Sequence, residues 1–394
     1  MKLLKKQMKT KSFFLGLFFL LLIGNLNAQN EDLPRVEFED EYLFLNHPFL
    51  EDDEKWAFRF YLHTFFKNNE YFGDFVKGYT LTGFHLCPQL TYNYNSMLKI
   101  QVIWNILKYN GYDNFSEYKP YARIVFRPKK CFSVICGYLE GNIRHKLTEP
   151  IYNPERYYTD NIENGLQFLV NKPHRYDGDT WLNWEKFILW GDPWQEQLTF
   201  GHHSDFQVIH NKSFSAGLSG ELLISHQGGQ IDATNEKVQS LENGGLGVFF
   251  RKVGSVDSRS FRFFSVESFF LQFHCIDPTP SIPYLDGYAI YNKAFLKFSN
   301  FGLTLGDWYA NRFINFRGDK LFTCRAIETT DNKTNRNVIF SELFFCKDYF
   351  DNVFTLKAGI NGYFDTDELT MEYSYMFSMI FSMKKNIHAR GFFK

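Results

Sequence analysis

One short segment of the chain, His202-His203-Ser204-Asp205, combines residue types that could perform acid–base and nucleophilic chemistry. A serine hydroxyl becomes a nucleophile when a histidine within hydrogen-bond reach accepts its proton and a third group orients that histidine. Side chains two positions apart lie on the same face of a β-strand. If the segment is a strand, His202 and Ser204 therefore lie side by side. The sequence identifies no third member of the set.

The spacing of His202 and Ser204 resembles the His-x-Ser-Asn stretch of outer-membrane lipid hydrolases, the phospholipase A and lipid A deacylase barrels. The resemblance implies that His202 is the general base and Ser204 the nucleophile of an ester hydrolase. Asp205 stands where those families have Asn, and the match covers four residues. The opposing hypothesis is that these are polar strand residues near a barrel rim with no catalytic role.

The elements that would position this segment are long alternating strands. In 98–106, 214–224 and 369–383, apolar residues occupy one face and polar residues the other. These segments are nine to fifteen residues long, and a tilted membrane strand needs about 9–11 residues, whereas soluble strands average five or six. Connections alternate between long and short, as in outer-membrane barrels. We therefore expect an all-β fold, a transmembrane antiparallel barrel over residues 56–394. About eighteen candidate strands, including 180–190, 321–328 and 385–393, predict 16 to 18 strands.

The start of the chain has the pattern of an export signal. Basic residues precede the apolar run Phe13–Ile23, and a small polar exit follows. This pattern predicts a signal peptide over residues 1–28, since the run is too short to cross a bilayer comfortably. Residues 29–55 are rich in Asp and Glu and contain an apolar patch. We expect a periplasmic segment there, either a solvated tether or a plug-like or partner-binding element.

Composition supports a barrel rather than a helical membrane protein. Aromatic residues make up 19% of the sequence, with 46 Phe and 23 Tyr, yet the mean hydropathy is −0.32. Barrels combine these features because each strand gives half of its residues to lipid and half to a polar interior. A net charge of −1 argues against a nucleic-acid partner. The six cysteines lack metal-ligand spacing, so we expect mostly reduced thiols, no metal site and no cofactor.

Charged residues recur on the faces predicted to point inward. In an open lumen they would line a pore and set its selectivity, whereas in a closed barrel they would satisfy one another as a structural network. The predicted pore-lining residues are Arg59, Lys99, Arg123, Arg127, Glu185, Glu221, Arg251, Lys293, Lys297, Glu342, Lys357 and Glu372.

Tryptophans mark a second pattern. Trp184 and Trp190 are six residues apart and are expected on one strand face, about 20 Å from each other. That separation is close to the distance between the two aromatic girdles of a membrane barrel. We assign Trp104, Trp184 and Trp190 to girdles; a sugar-binding aromatic platform is the alternative.

The Asn-Ala-Gln exit of the leader and the Phe- and Tyr-rich strands resemble porin-like outer-membrane barrels, those of the Bacteroidota in particular. The resemblance implies an outer-membrane location, contact with outer-membrane lipids, and a role as a solute channel or as the barrel subunit of an envelope complex with a lipoprotein or periplasmic partner. Two alternatives remain open: a lipid hydrolase using His202 and Ser204, and an exported soluble β-rich protein that binds glycans.

Overall fold

The computed structural model describes residues 55–211, 213–234, 236–254, 261–277, 282–326 and 332–387. The predicted signal peptide, residues 29–54 of the predicted acidic segment and residues 388–394 lie outside these residues. Among the residues described, no helix is both long enough and apolar enough to cross a membrane.

Sixteen antiparallel strands form one closed sheet in which β1 pairs with both β2 and β16. This architecture confirms the predicted all-β barrel and its predicted number of strands. Among the described residues, a single sheet closes on itself and no second sheet covers its apolar face, so the alternative of an exported soluble β-rich protein is wrong. The strands are β1 (Trp56–Glu70), β2 (Tyr79–Asn93), β3 (Leu98–Tyr109), β4 (Glu117–Lys129), β5 (Phe132–Tyr138), β6 (Asn164–Lys172), β7 (Tyr176–Lys186), β8 (Gln197–His210), β9 (Phe214–Gln227), β10 (Gln239–Val253), β11 (Phe261–Cys275), β12 (Asp286–Phe298), β13 (Phe301–Asn311), β14 (Asn335–Tyr349), β15 (Phe354–Asp365) and β16 (Thr370–Ile387).

Two of the eighteen candidate strands are not separate elements. The described part of 321–328 belongs to the connection between β13 and β14, and 385–387 continues β16. Both segments contain apolar residues, as a strand does. A separate strand would also need neighbouring strands to pair its backbone N–H and C=O groups. The described part of the β13–β14 connection instead folds against the inner wall.

The lengths of the connections between strands indicate which end of the barrel is periplasmic and which is external. Those after β2, β4, β6, β8, β12 and β14 are short and lie at the end where β1 begins, whereas the longest follow β5 and β13. By the rule that outer-membrane barrels have short periplasmic turns and longer external loops, the short turns mark the periplasmic end. The predicted alternation of connections is confirmed.

Alternation along each strand separates an apolar outer wall from a mixed inner one. On β16, Met371, Tyr373 and Tyr375 are exposed, while Glu372 and Ser374 are buried inside. A run of apolar residues on the outside of a closed sheet is stable in hydrocarbon, where the barrel pairs all of its strand backbone groups.

Two external loops fill much of the interior. The β5–β6 loop, residues 139–163, contains a 3₁₀ helix (Asn142–His145) and a short helix, α1 (Arg156–Thr159). Its Leu139, Ile151 and Tyr152 pack with wall residues and with the β13–β14 loop. Large apolar side chains removed from water in this way contribute about 1.5–3 kcal/mol each. The inside of the barrel is therefore a packed core along much of its length.

The β5–β6 loop is anchored by one buried histidine. His145 Nε2 is 2.6 Å from Glu163 Oε2, and His145 Nδ1 is 2.7 Å from Asp179 Oδ2 of β7. The imidazole also stacks on the Trp181 ring at a centroid distance of 3.5 Å. Burial alone would lower the pKa of His145, but the two carboxylates raise it to about 9. The charged imidazolium thus ties the loop to the barrel wall.

Candidate active site on the outer wall

Strand β8 divides the His-His-Ser-Asp segment between two environments. Its alternation buries His203 and Asp205 in the interior and turns His202 and Ser204 to the outer wall, between Phe200 and Phe206. His202 and Ser204 are therefore on one face, as predicted from their spacing. They form a polar patch in a wall that is otherwise largely apolar.

A third polar group comes from the neighbouring strand. Thr180 of β7 lies opposite His202 in the β7–β8 register, and its Oγ1 is 2.8 Å from His202 Nδ1. A neutral histidine that accepts a proton at Nε2 carries its own proton at Nδ1, which donates to an acceptor such as Thr180 Oγ1. Thr180 can therefore orient the imidazole, the role that sequence analysis left without a candidate.

Two glycines flank Ser204. Ser204 pairs with Gly178 on β7 and with Gly220 on β9. A Cβ on Gly178 would lie only 2.6 Å from the Tyr176 hydroxyl, because the Tyr176 ring crosses that position. This path brings the Tyr176 phenol beside the Ser204 side chain. Because Gly178 has no side chain, the Tyr176 ring can occupy the position beside Ser204 on this side of β8.

The inward half of the segment is part of a separate network. Asp205 accepts hydrogen bonds from Ser219 Oγ at 2.7 Å and from Arg251 Nη1 at 2.7 Å. The Arg251 guanidinium also contacts Glu267 at 3.3 Å. Asp205 therefore stabilises the inside of the wall and does not reach the outer-wall patch.

A second polar set lies elsewhere on the outer wall. Ser268 of β11 donates to Asn292 Oδ1 of β12 at 2.7 Å, and Asn292 Nδ2 donates to Asp307 Oδ2 of β13 at 3.1 Å. This set contains no histidine, so it has no group suited to accept a serine proton near neutral pH. Ser268 therefore offers a matched comparison for Ser204.

The twelve predicted pore-lining residues all occupy inward-facing strand positions. Several of them hold the interior loops. Glu221 accepts from the Thr148 hydroxyl at 2.9 Å, and Lys293 contacts Glu149 at 3.2 Å. Glu185 pairs with Arg317 of the β13–β14 loop. Their role as pore-lining residues stays a prediction.

Others of the twelve contact the wall or a neighbouring loop. Glu372 accepts from the backbone N–H of Gly73 at 2.8 Å, Thr304 Oγ1 is 3.3 Å from Glu342, and Arg123 donates to Gln101 at 2.8 Å. The remaining members, which lie at inward positions, are Arg59, Lys99, Arg127, Lys297 and Lys357.

The three tryptophans assigned to girdles differ in their positions. Trp104 lies on the outer face of β3 against Tyr118, and Trp184 lies on the outer face of β7. Trp190 is 85% exposed in the loop after β7. The expectation that Trp184 and Trp190 share one strand face is wrong, because β7 ends at Lys186. The girdle assignment itself stays a prediction.

Sequence reasoning missed Thr180, Tyr176 and both glycines. Thr180 is 22 residues from His202 along the chain, and only the β7–β8 register makes them neighbours. The six cysteines form no disulfide with one another, in agreement with the expectation of reduced thiols.

The fold is similar to those of solved outer-membrane proteins. OmpT of Vibrio cholerae, in a form lacking loop L8, matches with a TM-score of 0.50 and 10% identity over 84% of this chain and 100% of that one. OprD of Pseudomonas aeruginosa matches with a TM-score of 0.50 and 8% identity over 85% of this chain and 95% of that one. At such identities the likeness shows the fold alone. With its closed sheet and apolar outer wall, this chain is a porin-like β-barrel of the outer membrane.

Sequence comparison adds a family. No curated protein matches the chain. The sequence model described as lipid A 3'-O-deacylase-type matches residues 50–389, which include all of β1 to β16. Because the match extends over most of the chain, this outer-membrane barrel belongs to the lipid A 3'-O-deacylase-type family.

Proposed function

We propose that this barrel is a serine hydrolase that cleaves an acyl ester of an outer-membrane lipid. The observation that carries the proposal is the position of His202 and Ser204 on the outer wall, with Thr180 Oγ1 2.8 Å from His202. Only molecules in the membrane reach that wall. A nucleophile, a base and an orienting group are the parts that acyl transfer requires.

In this proposal, His202 accepts the Ser204 proton as Ser204 Oγ attacks the ester carbonyl. The new C–O bond gives a tetrahedral intermediate, whose collapse releases the alcohol with the proton from His202 and leaves an acyl group on Ser204. Water, deprotonated by His202, then hydrolyses that acyl ester and releases the fatty acid. Throughout, the Nδ1 proton of His202 donates to Thr180, which stabilises the imidazolium.

The family supports lipid A as the substrate class. Its description refers to deacylation at the 3'-oxygen of lipid A, and an O-linked acyl chain is an ester that Ser204 could attack. His202 is five residues from the external end of β8, about 17 Å along the strand. With the usual tilt, the site is about 13 Å below the external end of the strand, in the external half of the wall.

The test is loss of fatty-acid release in a Ser204→Ala variant. Folded protein in mixed micelles with lipid A or phospholipid is assayed by mass spectrometry of the released acid. Ser268→Ala is the matched control, because it removes another outward-facing serine from the wall. We expect activity to disappear in Ser204→Ala and to persist in Ser268→Ala. Equal release by both variants would remove Ser204 from the chemistry.

Solute conduction is the second candidate, and the charges of both signs on the inner wall favour it. The described parts of the β5–β6 and β13–β14 loops pack against the inner wall and each other, so they narrow any path for a solute. Stepwise conductance of the unaltered protein in planar bilayers would support a channel. A silent bilayer together with ester hydrolysis would support the hydrolase alone.

A further inference from the structure

Two histidines of the inner wall pack together against helix α1 of the β5–β6 loop. His63 of β1 and His85 of β2 are direct partners in the β1–β2 register, and their rings stack with centroids 6.3 Å apart. The rings of Tyr157 and Tyr158 from α1 lie 5.2 and 5.9 Å from the His63 ring, and the backbone of both tyrosines contacts His85. The two histidines are 1% and 0% exposed. Docked α1 therefore keeps both imidazoles out of water.

The surroundings of His63 suit a neutral ring. Neither of its ring nitrogens has a hydrogen-bond partner among the described residues. Its other ring neighbours are Phe65 and Tyr61, and the Tyr61 hydroxyl is engaged by the Tyr157 hydroxyl at 2.5 Å. The cation Lys357 of β15 acts on His63 electrostatically. A proton on His63 would thus create a buried charge that its neighbours repel or leave without a hydrogen bond.

A chain of side-chain amides also fixes His85 as a neutral ring. Asn105 Oδ1 accepts from the Cys87 thiol at 3.0 Å, and Asn105 Nδ2 donates to Glu117 at 2.6 Å and to Asn161 Oδ1 at 3.1 Å. The other end of the Asn161 amide, Nδ2, is therefore the donor that faces His85 Nδ1, at 3.4 Å. A ring nitrogen that accepts a hydrogen bond carries no proton. Doubly protonated His85 would set a second donor against the Asn161 amide.

The carboxylates next to α1 are paired with other cations. Glu155 is 3.4 Å from Lys67 Nζ, and Asp160 is 2.6 Å from Arg156 Nη2. Among the described residues, no carboxylate acts on either imidazole of the pair. An imidazolium formed in the docked state would therefore lack the counter-ion that a buried charge requires.

We propose that acid releases α1 from the inner wall, with His63 and His85 as the groups that take up the protons. Once α1 leaves, both rings reach water, where a histidine becomes protonated below about pH 6.5. Because the docked form holds both rings neutral, release then binds two protons and becomes more favourable as the pH falls. Release opens the part of the interior that α1 fills. The proposal is independent of the lipid-hydrolase proposal, since the histidine pair and Ser204 lie on opposite faces of the wall.

The histidine pair acts separately from the His145 anchor of the same loop. His145 is charged in the docked state and lies between two carboxylates, so mild acid leaves that anchor intact. The first part of the loop therefore stays on the wall while α1 moves.

Hydrogen exchange of the folded, intact protein in detergent tests the proposal. The reporters are the amides of Tyr157, Tyr158 and Asp160, which bond to carbonyls within the loop. Their exchange rates, divided by the intrinsic rates at each pH, give the equilibrium constant for release of α1. Uptake of two protons predicts that this constant rises about 60-fold between about pH 6 and about pH 5. Carboxylates of ordinary acidity stay ionised in this range.

Two variants assign the protons. His63→Phe keeps an aromatic ring in the same packing but cannot be protonated, so the rise should fall to about eightfold, the value for one histidine. His274→Phe is the control, because His274 is an exposed histidine at the external end of β11 and pairs with Asp286. It should keep the rise of about 60-fold.

Asp160 does not explain such a release. Burial raises the pKa of Asp160, although Arg156 opposes this. Its protonation therefore favours the docked form as the pH falls, which is the opposite of the expected effect.

Three results would overturn the proposal. The first is a rise below about tenfold in the unaltered protein, which would show that release does not take up two protons; this measurement needs no variant to fold. The second is an unchanged 60-fold rise in His63→Phe whose folding is confirmed by heat-modifiable gel mobility. The third is equal acceleration of the β1 amides, which would indicate loosening of the whole barrel rather than release of α1.

Discussion

Thr180→Val is the most direct test of the outer-wall site. Valine has nearly the shape of threonine but lacks the hydroxyl that lies 2.8 Å from His202 Nδ1. The position faces outward, where an apolar side chain suits hydrocarbon, so we expect the stability of the barrel to change little. The substitution therefore separates the orientation of His202 from the folding of the protein.

The magnitude follows from the charge that forms on His202 when Ser204 loses its proton. A hydrogen bond to a charged group contributes about 1.5–3 kcal/mol. If the Thr180 bond supports the imidazolium only in the transition state, its loss lowers kcat roughly 10- to 150-fold and leaves KM nearly unchanged. Thr180→Ser keeps an acceptor oxygen and should recover most of the rate.

The assay is release of fatty acid from lipid A in mixed micelles, with kcat and KM determined separately. Thr64→Val is the matched control, because Thr64 occupies an outward-facing position of β1 and donates to a backbone carbonyl rather than to a histidine. A kcat for Thr180→Val within about twofold of the unaltered enzyme would refute the orienting role. So would a loss of rate that Thr180→Ser fails to recover.

Three further predictions concern the site and the interior. Gly178→Ala should push the Tyr176 ring away from Ser204, because the new Cβ would lie 2.6 Å from the phenol oxygen. We expect this variant to hydrolyse lipid more slowly. In a Tyr176→Ala background, where the ring is absent, Gly178→Ala should not slow hydrolysis further. His145→Gln leaves Glu163 and Asp179 buried without a cation between them and should destabilise the docked β5–β6 loop by about 3–5 kcal/mol, measured as faster proteolysis within residues 139–163; protection equal to that of the unaltered protein would contradict this. Docking of the same loop should also depend on pH. The pKa of His145 is raised from 6.5 to about 9, so its stabilisation is complete below about pH 6.5 and is lost as pH rises through about 9. Burial would raise the pKa of Glu163, but His145 lowers it to about 2, so the contribution of Glu163 is present above pH 4.5 and fades only towards pH 2. Hydrogen exchange of loop amides should therefore accelerate above about pH 9 by more than its intrinsic increase, and His145→Gln should lack that transition.

The barrel could be predicted from local patterns because the residues of each strand alternate between an apolar outer face and a more polar inner face. The alternation in 98–106 and 214–224 identified the inward and outward faces, and β3 and β9 confirm both. The same alternation put His202 and Ser204 together. The candidate strand 321–328 was wrong because an apolar segment suits a lumen-filling loop as well as a strand, and local sequence does not distinguish the two.

Sequence alone determined the features that follow from the alternation of apolar and polar residues along a strand. These are the fold class, the approximate number of strands and the shared face of His202 and Ser204. Tertiary structure decided what depends on register and loop path. Thr180 meets His202 only through the pairing of β7 with β8, and the interior is filled because the long loops fold inward. The physical reason is that alternation is a property of one strand, whereas pairing register and loop docking arise from contacts between residues that are distant in the chain.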